Sequence, residues 1–140
     1  MTDPKITLME LLKEEWKLNT EPSFLADWPD EKVDYPVVTV THLATRVTSL
    51  GFSDDVPSAD RRITGSYHVD VWSRGDSEER YALLKEADRI LKSRISEPPG
   101  DLEEIWVSGW VDLDEPQLRP PIYRSRLQVG VVYYLSLIHI

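Results

Sequence analysis

The chain has 140 residues, 41% of them hydrophobic and 29% charged, and its 25 acidic against 16 basic side chains leave a net charge of -9. That balance weighs against a protein that grips nucleic-acid phosphates, which takes clustered Lys and Arg. A mean hydropathy of -0.37, with no apolar run near the ~20 residues of a bilayer span, weighs against a membrane protein, and the lack of cysteine leaves no disulfide framework or thiolate site.

One domain is the expectation at this length. Met1-Thr2-Asp3-Pro4 has neither a basic nor an apolar leader region, so no secretory signal is expected and a cytoplasmic setting fits. The first helix is predicted over Ile6 to Leu18, with Thr7 and Glu10 as a capping box and Leu8, Met9, Leu11, Leu12 and Trp16 as its apolar face. Asn19 stops it. Thr20 to Tyr35, with Pro22 and Pro29, is read as an ordered loop anchored by Phe24, Leu25 and Trp28.

After Pro36, the β-branched run Val37 to Leu43 predicts a strand. Thr48 to Thr64 is read as a loop of about 17 residues, a length that is usually functional or disordered. Ser66 to Trp72 predicts a second strand, with Tyr67, Val69 and Val71 on one face and His68, Asp70 and Trp72 on the other. Asp76 and Glu79 make a second capping box. The helix they open runs to Ile95, with Tyr81, Leu84, Ala87, Leu91 and Ile95 as its inner stripe, widened by Leu83 and Ile90. Asp88 and Lys92 form an i,i+4 pair, and Pro98-Pro99-Gly100 ends the element. Glu103 to Val111 and Tyr123 to Tyr134 predict the last two strands, joined by the Pro-rich stretch Asp112 to Pro121.

The order helix, strand, strand, helix, strand, strand predicts an α+β fold: a mainly antiparallel sheet of four strands, or slightly more, with two helices on one face. The domain is placed at residues 1–134. Leu135 to Ile140 are apolar and resemble a translated sequencing adapter, so 135–140 are read as a non-native or disordered tail that carries no function.

Signals for chemistry are thin. There is no nucleophile elbow and no Gly-rich phosphate loop. His42, His68 and Asp70 would make a metal site if they met on one sheet face, against the plainer reading of strand histidines and an ordinary carboxylate. The acidic pairs Asp54-Asp55, Glu78-Glu79 and Glu103-Glu104 are most simply solvated. No cofactor is expected. The aromatic pattern says more. Trp72, Trp106 and Trp110 are expected opposite the aliphatic set, on a face that water would meet in a two-layer monomer; aromatics clustered there mark an association surface. Arg124, Arg126 and Gln128 on the last strand would add polar contacts around it.

These segments carry a resemblance. The Pro36 to Val40 strand "PVVTV", "SYHVDVWSR" (Ser66 to Arg74) running into "ERYALLKEADRIL" (Glu79 to Leu91), and the closing "YRSRLQVGVVYY" (Tyr123 to Tyr134) resemble the tail-completion, or tail-terminator, proteins of long-tailed phages and related archaeal viruses. The resemblance covers Ile6 to Tyr134. It implies a virion structural protein, not an enzyme, whose subunits form a homo-oligomeric ring, a hexamer, in the host cytoplasm during assembly. The ring sits at the head-proximal end of the virion tail, capping the tail tube protein and meeting the neck or head-closure protein, and DNA passes through it without specific binding. It also implies loops that order on assembly, matched by Thr48 to Thr64, which places Asp54, Asp55, Asp60, Arg61 and Arg62 at a ring end or the lumen. The Pro-rich Asp112 to Pro121 segment and the odd terminus depart from the family pattern.

Other expectations stand beside it: a head-closure, neck or tail-tube protein; a small metal-dependent hydrolase built on His42, His68 and Asp70; and a cytoplasmic adaptor with no viral role. Copy number per particle, metal content and gene neighbourhood separate them.

Overall fold

The computed structural model describes residues 2–29, 32–50 and 60–135. In chain order the elements are α1 (Pro4–Glu15), β1 (Ser23–Leu25), β2 (Val37–Leu50), β3 (Asp60–Arg74), α2 (Ser77–Ser93), β4 (Glu104–Asp112) and β5 (Ile122–Leu135). They make an α+β protein with a five-stranded mixed sheet in the order β1-β2-β3-β5-β4. The pairings β2–β3, β3–β5 and β5–β4 are antiparallel, and the short β1 runs parallel to β2 at Ser23 to Leu25.

The first helix begins earlier than the Thr7–Glu10 box predicts. Asp3 is its cap, accepting the Lys5 backbone N–H at 2.9 Å, and Pro4 takes the first helical position. Proline needs no partner for an N–H and its φ is already helical, so the Asp-Pro pair outcompetes the downstream threonine. The helix also ends before Leu18, at Trp16, which turns extended; its indole N–H donates to the Thr20 carbonyl at 2.9 Å and its ring meets Phe24 edge-on at 5.5 Å. Phe24 and Leu25 belong to β1, so the predicted loop holds a strand.

Asp76 caps α2 as expected, accepting from the Glu78 and Glu79 N–H groups at 2.9 and 3.2 Å. Glu79 does not close the box. Its carboxylate takes the Ser73 hydroxyl at 2.7 Å, which ties the helix start to the end of β3. The buried stripe is Leu83, Leu84, Ala87, Ile90 and Leu91, whereas Tyr81 is half exposed and Ile95 lies beyond the helix end. The positions predicted to widen the stripe are its centre. Asp88 and Lys92 pair at 2.9 Å.

Alternation then builds the core. Val38, Val40, Tyr67, Val69, Val71, Ile105, Leu127, Val129 and Val131 share one cluster with Leu8, Leu11 and Leu12 of α1 and the buried stripe of α2. Each such aliphatic side chain contributes about 1.5–3 kcal/mol on burial. Two departures from prediction shape the edges of the sheet. The loop read over Thr48 to Thr64 begins and ends in strand, since Thr48 pairs with Arg62 and Leu50 with Asp60; 51–59 fall outside the described residues. Leu135, assigned to the tail, is the last residue of β5 and pairs with Arg61. The rest of that tail, 136–140, lies outside the described residues. Among the described residues no helix is long and apolar enough to cross a membrane.

Candidate functional site

The sheet face opposite the helices divides in two. At one end lie Thr39 on β2, Asp70 and Trp72 on β3, and Arg124 and Arg126 on β5, brought together by the register Thr39↔Asp70↔Arg126 and Trp72↔Arg124. The Asp70 carboxylate, 1% exposed, accepts from Arg126 through Nε at 3.0 Å and a second guanidinium nitrogen at 3.1 Å. Arg124 sits 3.9 Å from the same carboxylate, and its guanidinium lies 4.5 Å from the Trp72 ring and 5.0 Å from Trp28. Trp28 meets Trp72 edge-on at 5.4 Å, and the Trp72 indole N–H donates to Thr39 Oγ1 at 3.0 Å. Burial of the Arg124 guanidinium lowers its pKa, opposed by Asp70.

This cluster corrects the expected association surface. Trp72 is 7% exposed, its ring covered by Trp28 and Arg124 of its own chain. The two arginines, expected as contacts for a partner, are engaged with Asp70 and the indoles. A Trp that donates its N–H, meets one ring edge-on and lies under a guanidinium has little area left for a neighbour. Trp28 is not legible as part of this cluster in the sequence, where it stands as a loop anchor; only the fold brings it against Trp72.

The other two tryptophans are exposed, but not together. Trp106 pairs with Gly130 on the face of Gln128 and His68. A register shift between Val107 and Gly109 then breaks the alternation, and Gly109 has φ +147. Beyond this bulge Trp110 pairs with Leu127, on the helix side of the sheet, and is 55% exposed. The bulge inserts one residue and flips every side chain after it, which strict alternation could not reveal. Trp106, 37% exposed, instead shares a small cleft of about 130 Å³ with Leu43, Ser66, His68, Ser108 and Gln128.

Of the residues expected at a ring end or lumen, Asp54 and Asp55 lie outside the described residues. Asp60, Arg61 and Arg62 are not loop but the first residues of β3. Arg62 is paired with Glu104 at 3.1 Å, across the exposed end of the sheet.

The register also takes the expected metal set apart. His68 is the partner of Thr41, and His42 the partner of Tyr67, so the two imidazoles leave the sheet on opposite faces. His42 lies against the Tyr67 ring at 5.1 Å and is 2.7 Å from Thr45 Oγ1. Among the described residues no three His, Cys, Asp or Glu side chains are grouped to hold a metal. The cleft beside His42, about 440 Å³, is lined by Asp3, Lys5, Thr45, Tyr67 and Tyr133. Burial pushes both phenols above their ordinary range, so at neutral pH they are hydrogen-bond donors rather than bases. Glu86, a nearly buried carboxylate, accepts from Arg89 at 2.7 and 3.0 Å and from the Lys17 backbone N–H. The Arg89 hydrogen bond holds its pKa down. It ties the chain leaving α1 to α2.

Neither a family model nor a curated protein matches the sequence.

Proposed function

We propose that the chain is a tail-terminator subunit: a virion structural protein, not an enzyme, that forms a hexameric ring in the host cytoplasm, caps the tail tube and joins it to the neck. The reading starts from the resemblance of the Pro36 to Val40, Ser66 to Leu91 and Tyr123 to Tyr134 segments. In the fold these are the start of β2, the β3–α2 unit and β5, around which the remaining strands are arranged.

One observation carries it furthest. Large apolar side chains stay exposed at both lateral ends of the sheet, Leu43 (59%) and Val47 (50%) on β2, and Trp106, Trp110 and Val111 on β4. Unlike surfaces at opposite ends of one subunit are what a cyclic, head-to-tail assembly uses. The helices, covering one face of the mainly antiparallel β2–β3–β5–β4 part, would face away from its neighbours. The alternative hydrolase loses the constellation on which it rested, since His42 and His68 are on opposite faces. The acidic surface suits a ring through which DNA slides without adhering, with Asp54, Asp55 and Asp60 at its end or lumen.

Copy number tests the assignment. Quantitative mass spectrometry of purified virions should find one ring of this chain per particle. Many copies per tail would make it a tube protein, and absence from the particle would end the virion reading.

A further inference from the structure

Among the described residues both lateral sides of the sheet present open strand edge, and the two edges match each other. β1 covers β2 only from Val37 to Thr39, so the outer edge of β2 from Val40 to Leu50 has no neighbour among the described residues. β4 ends the sheet on the other side, with no strand beyond Glu104–Asp112 among the described residues. Natural edges are guarded by Lys, Pro and bulges. Here each edge has a single bulge, at Leu43 and at Ser108, and neither stretch contains a Lys or a Pro.

Charge and direction fit as well. Val40 to Thr48 carries Arg46 and His42 and no acid, while Glu103 to Asp112 carries Glu103, Glu104 and Asp112 and no base; Glu104 is paired with Arg62 and Asp112 with Arg80 of its own chain. Glu103 has no ion pair among the described residues. Three successive antiparallel pairings make β4 run opposite to β2. A rotation about an axis along the strands preserves those directions, so β2 of one copy meets β4 of the next antiparallel. Such pairing satisfies the open backbone groups and brings Leu43 and Val47 beside Trp106, Trp110 and Val111.

We infer that copies of this chain join by strand addition, the β2 edge of one subunit pairing with the β4 edge of its neighbour to continue the sheet around the assembly. The inference rests on the ring reading above and names its contact. It also accounts for the length of the β2–β3 hairpin, whose exposed residues His42 to Thr48 are strand.

The chain has no cysteine, so disulfide trapping has no background. Single variants Ala44→Cys, Thr45→Cys and Arg46→Cys on β2 are each mixed with Ser108→Cys or Val111→Cys on β4 and mildly oxidised; circular dichroism checks that each is folded. The expected result is a disulfide-linked dimer in mixtures of a β2 with a β4 variant. Moving the cysteine forward along β2 should shift the best partner backward along β4. Dimers that form within a single variant alone, by two-fold pairing of like edges, would overturn the inference, and so would mixtures that stay monomeric. The reduced mixtures are also added to tail tubes lacking this chain and then mildly oxidised, so that tube closure is scored first and the disulfide afterwards. Tubes that close without any β2–β4 disulfide sink the edge pairing and keep the terminator reading. Disulfides with tubes left open keep the pairing and sink the terminator reading.

Discussion

The indole of Trp106 fills the space that a side chain on Gly130 would need, across the β4–β5 ladder where the two are Cα partners. The contact fixes an aromatic ring that would otherwise swing free at a sheet edge, and it holds one wall of the cleft beside Leu43. A single methyl at Gly130 must displace the ring. Gly130→Ala should therefore lower stability by about 1–3 kcal/mol, the usual cost of overpacking. In a Trp106→Ala background the same change should be nearly free. A double-mutant cycle from urea midpoints measures that coupling.

Asp70 and Arg126 form the second testable pair. With its carboxylate 1% exposed and two short contacts to one guanidinium, removal of the acid leaves a charge without its partner. Asp70→Ala is expected to cost about 3–5 kcal/mol, and the joint replacement Asp70→Leu with Arg126→Met much less. Equal losses in the single and double variants would show that packing around Trp28 and Trp72, not the ion pair, holds this face.

The helix starts give a sharper contrast. Asp76→Ala and Asp3→Ala each remove a carboxylate that accepts a backbone N–H and should each cost about 1 kcal/mol. Thr7→Ala, at the position that sequence alone would choose as the cap, should change the thermal midpoint little. A loss at Thr7 as large as at Asp3 would contradict the assignment of the cap.

Acid should weaken the fold through His68. Burial, and then the charge of Arg126, lower its pKa, with Asp70 opposing. The folded state thus resists a proton that the unfolded chain accepts. The sign is fixed: stability is fully present above the ordinary histidine value of about 6.5 and is lost as pH falls from there to the lower folded value. His68→Gln should flatten the loss that sets in as pH falls below about 6.5, measured by urea unfolding at each pH. Glu86, a depressed carboxylate, loses its contribution only further down, below the usual glutamate range. The two effects therefore separate along the pH axis.

Much of this architecture is legible in the residues. Alternation places Tyr67, Val69, Val71, Leu127, Val129 and Val131 on the core face, and Asp76 announces α2. What escapes is what depends on register. The bulge at Ser108 sends Trp110 to the helix side, and nothing in Val107-Ser108-Gly109 except the glycine hints at it. Trp28 lies 44 residues before Trp72 in the chain, and the Asp70–Arg126 pair spans 56; such partners are visible only once strand order is known. The described ends of the hairpin arm are hidden because Thr48, Arg61, Arg62 and Thr64 are polar, and the single buried Ile63 among them is too little to show alternation. In the candidate surface, Trp106 and Trp110 keep their expected exposure, while Trp72, Arg124 and Arg126 are consumed by their own chain.

As a proposed tail terminator, this chain would assemble around the tube end. Electron microscopy of tails made with and without it is the most direct measurement. Tails made without it should run on past normal length and fail to join heads, and adding the purified protein should cap them with a visible ring and restore joining. Tails of normal length that join heads in its absence would contradict a terminator role.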